Sequence, residues 1–147
     1  MPTVATEVRP SMKAGKADPS ILIVEDEVDL AVTCVRFLQR FGYRLRVAHT
    51  GSEALAAITA DRPDLVVTDL RLPGGLDGFA VVRHVRQQAP PIAVIVCTAQ
   101  ASDQIRQEAL AAGATEYLLK PFTLAELRTA VDRALGQSQP GDGSKTI

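Results

Sequence analysis

The sequence predicts an α/β protein, a (βα)5 doubly wound domain in which a five-stranded parallel sheet carries helices on both faces. Three observations predict it. Five short strand-like runs, "ILIVE", "RLRVA", "DLVVT", "IAVIVCT" and "TEYLLK", alternate with segments of helical period. The runs are continuously apolar rather than alternating, as expected of strands covered on both faces. At 147 residues, with 46% apolar and 22% charged side chains, the chain suits one domain with a normal-sized core.

The elements follow in order. Residues 1–19 mix Pro, Gly, Lys, Ser and Thr without periodicity and read as a flexible N-terminal tail. The folded part spans 20–136. After "ILIVE", Ala31, Cys34, Val35, Leu38 and Phe41 recur at helical intervals and predict one buried face. After "RLRVA", Thr50 and Glu53 match the S/T-x-x-E capping box of a helix start. "DLVVT" passes through a Pro-Gly-Gly loop to a helix that holds His84. "IAVIVCT" precedes the helix "DQIRQEALAAG", with Gly113 as its left-handed stop. "TEYLLK" leads to a last helix, capped by Thr123 and Glu126, with Leu124, Leu127, Val131 and Ala134 on one face. Residues 137–147, rich in Gly, Ser and Pro, read as a flexible C-terminal tail.

Several function classes are disfavoured by composition. A formal net charge of −1 gives no basic footprint for nucleic acid. The longest apolar run, from Ile92 to Cys97, is six residues, against about 20 for a membrane-spanning helix. With no apolar secretion signal either, the expectation is a cytoplasmic protein that contacts neither nucleic acid nor membrane. Cys34 and Cys97 lie within apolar patterns without metal-ligand spacing and read as reduced core residues. His49, beside a turn, and His84 carry no partner motif and read as surface or packing residues rather than ligands.

In a doubly wound sheet, ligands bind beyond the carboxyl ends of the strands. Glu25 and Asp26 follow "ILIV", Asp69 follows "LVVT", Thr98 and Ala99 follow "VIVC", and Lys120 with Pro121 follows "EYLL". Any one of these alone is an ordinary solvated strand end. Together, three carboxylates, a hydroxyl and an ammonium from four strands converge on one rim. Crowded carboxylates stay ionised only beside a cation, and an oxygen-only donor set suits a hard ion such as Mg²⁺. An aspartate there can attack phosphorus to form an acyl phosphate, with the ion and a lysine neutralising the transferring oxygens. The Thr98 hydroxyl and the Ala99 backbone N–H can donate to the same oxygens.

From Ser20 to about Gly136 the sequence closely resembles the receiver domain of two-component response regulators, the CheY-like family. The resemblance rests on "ILIVEDE", "DLVVTDLRLPGGLDGF", "AVIVCTA" and "GATEYLLKPF". It implies that Asp69 is the phosphoacceptor, that Asp26 binds Mg²⁺ directly and Glu25 through water, and that the Arg71 backbone carbonyl completes the metal shell. It further implies that Lys120 contacts the phosphoryl group, that Thr98 and Tyr117 form a switch, and that the Lys120–Pro121 peptide is cis, aiming the lysine inward. The expected partners are a sensor histidine kinase or histidine phosphotransfer protein and a downstream protein target. The last two helices and last strand form the surface for a partner or for a homodimer. One departure stands out: "LPGGLDGF" carries two residues, Gly74 and Gly75, where the family has one, which predicts a longer, more mobile loop beside the site.

Rival classes fit less well. A haloacid-dehalogenase-type phosphatase needs a second Asp two positions after the nucleophile, where this chain has Arg71. A flavin or nucleotide binder needs a Gly-rich turn after the first strand, which instead reads "EDEVDL". A receiver-like module used only for protein binding would lack one of the acidic, acceptor or lysine positions. The expectation is a stand-alone receiver rather than an enzyme, with only self-phosphorylation and self-dephosphorylation chemistry, acting as a diffusible messenger or as a phosphorelay intermediate.

Overall fold

Each of the five apolar runs forms a strand in the structure, a computed structural model that describes residues 6–7, 18–88 and 90–137. The order is β1 (Thr6–Glu7), β2 (Ser20–Val24), α1 (Val28–Gln39), β3 (Arg44–Ala48), α2 (Gly51–Ala60), β4 (Leu65–Asp69), α3 (Gly78–Arg86), β5 (Ala93–Thr98), α4 (Asp103–Ala112), β6 (Glu116–Leu119) and α5 (Leu124–Gln137). The sheet runs β1-β3-β2-β4-β5-β6. The expected five parallel strands are all present, with β4 paired between β2 and β5.

Period-2 alternation sorts the strand residues into two cores. Ile21, Ile23, Leu45, Leu65 and Ile95 face α1 and α5, packing with Cys34, Leu38, Leu127 and Val131. Leu22, Val24, Val66, Val94 and Val96 face α2, α3 and α4, packing with Ile58, Val81, Val85 and Ala109. This two-sided burial is why β2, β4 and β5 read as nearly unbroken apolar runs.

Three expectations need adjusting. The N-terminal tail contributes a sixth strand, since Thr6 and Glu7 pair antiparallel with Val47 and Arg46 at the β3 edge; the rest of that tail and the C-terminal tail at 138–147 lie outside the described residues. A two-residue pairing leaves no periodic trace in sequence. Phe41 does not extend the buried face of α1, because the helix ends at Gln39. It is instead exposed, with an edge-on Phe37 ring 5.2 Å away and the Arg128 guanidinium 3.7 Å over its own ring. The Thr123–Glu126 capping box is reciprocal, each backbone N–H donating to the other's side chain. At α2 only half of the box forms: Glu53 N–H donates to Thr50 Oγ1, but the Glu53 carboxylate accepts from His49 N–H. Gly113 ends α4 at φ 122°, as expected.

Both cysteines are buried, 4% exposed at Cys34 and 3% at Cys97. Burial pushes the Cys34 thiol up to about 11 and raises that of Cys97 as well. At pH 8 a thiol with such a value is ionised in only about one molecule per thousand. Iodoacetamide at pH 8 is therefore expected to leave both unlabelled in the native protein and to label both in denaturant. Rapid single labelling of the native chain would contradict this packing.

Candidate functional site

The rim at the carboxyl ends of the strands collects the residues that the sequence nominates. Glu25 leaves β2 with its N–H held by the Ala48 carbonyl at 3.0 Å, so the β2–β3 ladder extends to a site residue. Asp26, next in the chain, is exposed. Asp69 is the last residue of β4, 8% exposed, in register with Cys97 of β5. Lys120 follows β6, and its peptide bond to Pro121 is cis.

Lys120 closes the site. Its Nζ donates to Asp69 Oδ2 at 2.9 Å and to Glu25 Oε1 at 3.0 Å. The other oxygens of the two carboxylates are held by backbone: Glu25 Oε2 accepts from Glu27 N–H at 3.2 Å, and Asp69 Oδ1 from Arg71 N–H at 3.3 Å. Burial raises the Glu25 carboxyl above its ordinary value against the lowering effect of Lys120 and the Glu27 N–H. Burial alone would lower Lys120, but its bonds to Asp69 and Glu25 outweigh that and raise it above its ordinary value. The lysine is thus a fixed cation in the site.

One carboxylate oxygen each from Glu25, Asp26 and Asp69 lie within 4.8 Å of one another. Three carboxylates, no sulfur and no imidazole form a donor set that fits a hard divalent cation such as Mg²⁺, with an exposed side open for waters. The Arg71 side chain is exposed.

Thr98, the last residue of β5, is buried, and its hydroxyl oxygen accepts from Gln100 N–H at 3.1 Å. Tyr117 is half-buried on β6, in register with Val96, and its hydroxyl donates to the Gln100 carbonyl at 3.1 Å. The two nominated switch residues therefore both bond to the backbone of Gln100. Ala99 is exposed beside them.

The loop after Asp69 is seated at two glycines. A Cβ on Gly78 would overlap the Asp69 carbonyl oxygen and lie 2.6 Å from Leu70 Cα, and one on Gly51 would lie 2.7 Å from Leu76 Cβ. Gly74 and Gly75, at φ 91° and 97°, are exposed, and a Cβ on either would meet no heavy atom within 4 Å. The extra residue is thus accommodated at an outward tip, while Leu76 keeps its seat on α2.

One neighbour of the site escaped the sequence reading. His49, expected to be a surface or packing residue rather than a ligand, places Nδ1 3.0 Å from the Glu25 carbonyl oxygen. The signal was present: His49 directly follows "RLRVA", so the strand-end rule that gathered the other residues reaches it too.

Comparison with known proteins follows the same lines. The family model described as "Response regulator receiver domain" matches residues 21–132. The transcriptional regulatory protein PrrA of Mycobacterium tuberculosis is 39% identical over 138 residues, 92% of this chain and 59% of its own. The response regulator MprA of Mycobacterium avium is 38% identical over 127 residues, 86% of this chain and 55% of its own. The chain thus spans a little over half the length of these relatives. Among solved structures, Vibrio cholerae chemotaxis protein CheY4 superposes with a TM-score of 0.76 at 32% identity, covering 81% of this chain and all of that one, 100%. The receiver domain of sensor histidine kinase PA1611 from Pseudomonas aeruginosa superposes with a TM-score of 0.72 at 34% identity, over 82% of this chain and 99% of its own. That structure has a magnesium ion coordinated in its active site cleft. Among the described residues, no helix is long and apolar enough to cross a membrane.

Proposed function

The chain belongs to the response regulator receiver domain family, and on that premise we propose that Asp69 takes a phosphoryl group from the phosphohistidine of a sensor kinase or histidine phosphotransfer protein. The observation that carries this is the salt bridge of Lys120 to both Asp69 and Glu25 within a three-carboxylate cluster. In the transfer, an Asp69 carboxylate oxygen attacks phosphorus, the O–P bond of an acyl phosphate forms, and the P–N bond to the donor imidazole breaks, the imidazole leaving as the electron-pair acceptor. Lys120 shifts its ion pair from the Asp69 carboxylate to the incoming phosphoryl oxygens, and the Thr98 hydroxyl and Ala99 N–H donate to the same group. Glu25, Asp26, Asp69 and the Arg71 backbone carbonyl would hold Mg²⁺, which supplies charge neutralisation for the phosphoryl oxygens.

The new charge is read through Thr98 and Tyr117. Attraction of the Thr98 hydroxyl toward Asp69 ends its bond to Gln100 N–H, and Tyr117 repacks against the segment it shares with Thr98. This changes the surface of α4, β6 and α5, where a downstream protein or a second copy docks. Phosphorylation supplies the free-energy difference between two existing conformations, a few kcal/mol being enough. Transfer of label from the phosphorylated chain to candidate histidine phosphotransfer proteins distinguishes a relay intermediate from a terminal messenger.

A stability measurement tests the metal site. Millimolar Mg²⁺ is expected to raise the melting temperature, because the native state alone gathers the three carboxylates and a ligand bound only to the native state stabilises it by mass action, by about 2.7 kcal/mol at a hundredfold excess over Kd. In Asp26→Ala the rise should disappear. A wild-type melting temperature indifferent to Mg²⁺ would count against the site.

A further inference from the structure

We propose that His49 is a positioning residue of the acidic site, acting through the backbone of Glu25 to set where Asp26 presents its carboxylate. The inference rests on the Mg²⁺ reading above and extends it to a residue outside the donor set.

Every polar group of Glu25 has a named partner. Its N–H goes to the Ala48 carbonyl, Oε1 to Lys120 Nζ, Oε2 to Glu27 N–H, and its carbonyl oxygen to His49 Nδ1 at 3.0 Å. The last comes from a side chain, and it falls at the peptide that links Glu25 to Asp26. A carbonyl oxygen can only accept, so His49 must carry its proton on Nδ1. The backbone that carries the ring is itself held in place. His49 N–H donates to Glu53 Oε1 at 2.7 Å, and Glu53 N–H donates to Thr50 Oγ1 at 3.1 Å, so the first turn of α2 fixes the residue that fixes Glu25. This accounts for the half-formed capping box: Glu53 forgoes the Thr50 N–H to hold that of His49.

Without this bond the 25–26 peptide is tied only on its Glu25 side, because Asp26 is exposed. Its rotation would swing the Asp26 carboxylate away from those of Glu25 and Asp69, which now lie within 4.8 Å of it. Groups that orient metal-binding residues in this way commonly contribute about tenfold or more to metal affinity.

The test is Mg²⁺ affinity by calorimetry for the wild type, His49→Phe and His49→Asn. Phe keeps the ring and loses the donor, whereas the Asn amide nitrogen can take the place of Nδ1. His49→Phe is expected to bind Mg²⁺ about tenfold more weakly and His49→Asn to recover most of the loss. Equal affinities for His49→Phe and the wild type would overturn the inference, as would equal weakening of both variants. If His49→Phe fails to fold, His49→Gln replaces it, since the longer amide reaches the Nε2 position; Asn binding tightly and Gln weakly supports the inference, and equal binding overturns it. Ring nitrogen NMR adds an independent readout: a proton on His49 Nδ1 is expected, and a ring with Nδ1 unprotonated overturns the inference. A wild type that binds no Mg²⁺ is distinguishable from all of these and removes the metal reading itself.

Discussion

Asp69→Asn is expected to gain no phosphoryl mass under conditions, acetyl phosphate with Mg²⁺, in which the wild type gains one. The amide is nearly isosteric but its oxygen is a poor nucleophile. Asp69 is the carboxylate that ends the strand between β2 and β5, with Lys120 Nζ 2.9 Å from its Oδ2, whereas Asp26 lies on the exposed side of the cluster. The loss should be complete, since a covalent step has no partial substitute. The fold should survive, because Lys120 keeps its 3.0 Å bond to Glu25. Intact-mass spectrometry decides, and an adduct of equal intensity on the variant would remove Asp69 from its role. In the wild type, backbone NMR shifts on phosphorylation should reach Gln100 and Tyr117; shifts confined to residues around Asp69 would refute the proposed readout.

The second large effect is on stability. Gly78→Ala is expected to destabilise by on the order of 3 kcal/mol, because the new Cβ has to displace backbone rather than the end of a flexible side chain. The obstructing atoms are the Asp69 carbonyl and Leu70 Cα, and Gly78 N–H also donates to the Leu70 carbonyl at 2.9 Å. A melting temperature lower by roughly 10 °C is the expected readout for a domain of this size. Gly74→Ala is the informative companion. It meets no atom within 4 Å, and only its φ of 91° is unfavourable, at about 1–2 kcal/mol. If Gly78→Ala melts within about two or three degrees of the wild type, α3 does not abut the end of β4 as described.

How much of this could be read from the residues depends on whether the interaction leaves a pattern along the chain. The buried strands do, because burial on both faces forces Ile21 to Val24, Leu65 to Val67 and Ala93 to Cys97 to be uniformly apolar. The site does, because parallel strands all end on one rim and their last residues are countable. Phe41 misled because apolar spacing does not say where a helix stops, and the chain turned before its ring could face the core. The β1 strand left no signal, since two residues are too few for a period. Gly78 and Gly51 were invisible in a different way: a glycine chosen for space resembles one chosen for a turn until the neighbouring atoms are known.

The seating of Asp69 at the end of the doubly flanked strand β4 also separates motions in time. Strand β4 is hydrogen-bonded to β2 and β5, with both faces covered, so freeing its amides requires opening the whole sheet. Six residues on, Gly75 is exposed, and a Cβ on it would meet no heavy atom within 4 Å. The cost of local opening thus falls from nearly the full folding free energy to almost nothing within a few residues. Exposed loops of this kind rearrange in nanoseconds to microseconds, far faster than a packed central strand lets go. Asp69, the proposed acceptor, is therefore expected to hold still beside a tip that samples many shapes, so that a donor protein would meet a fixed carboxylate next to a changing loop.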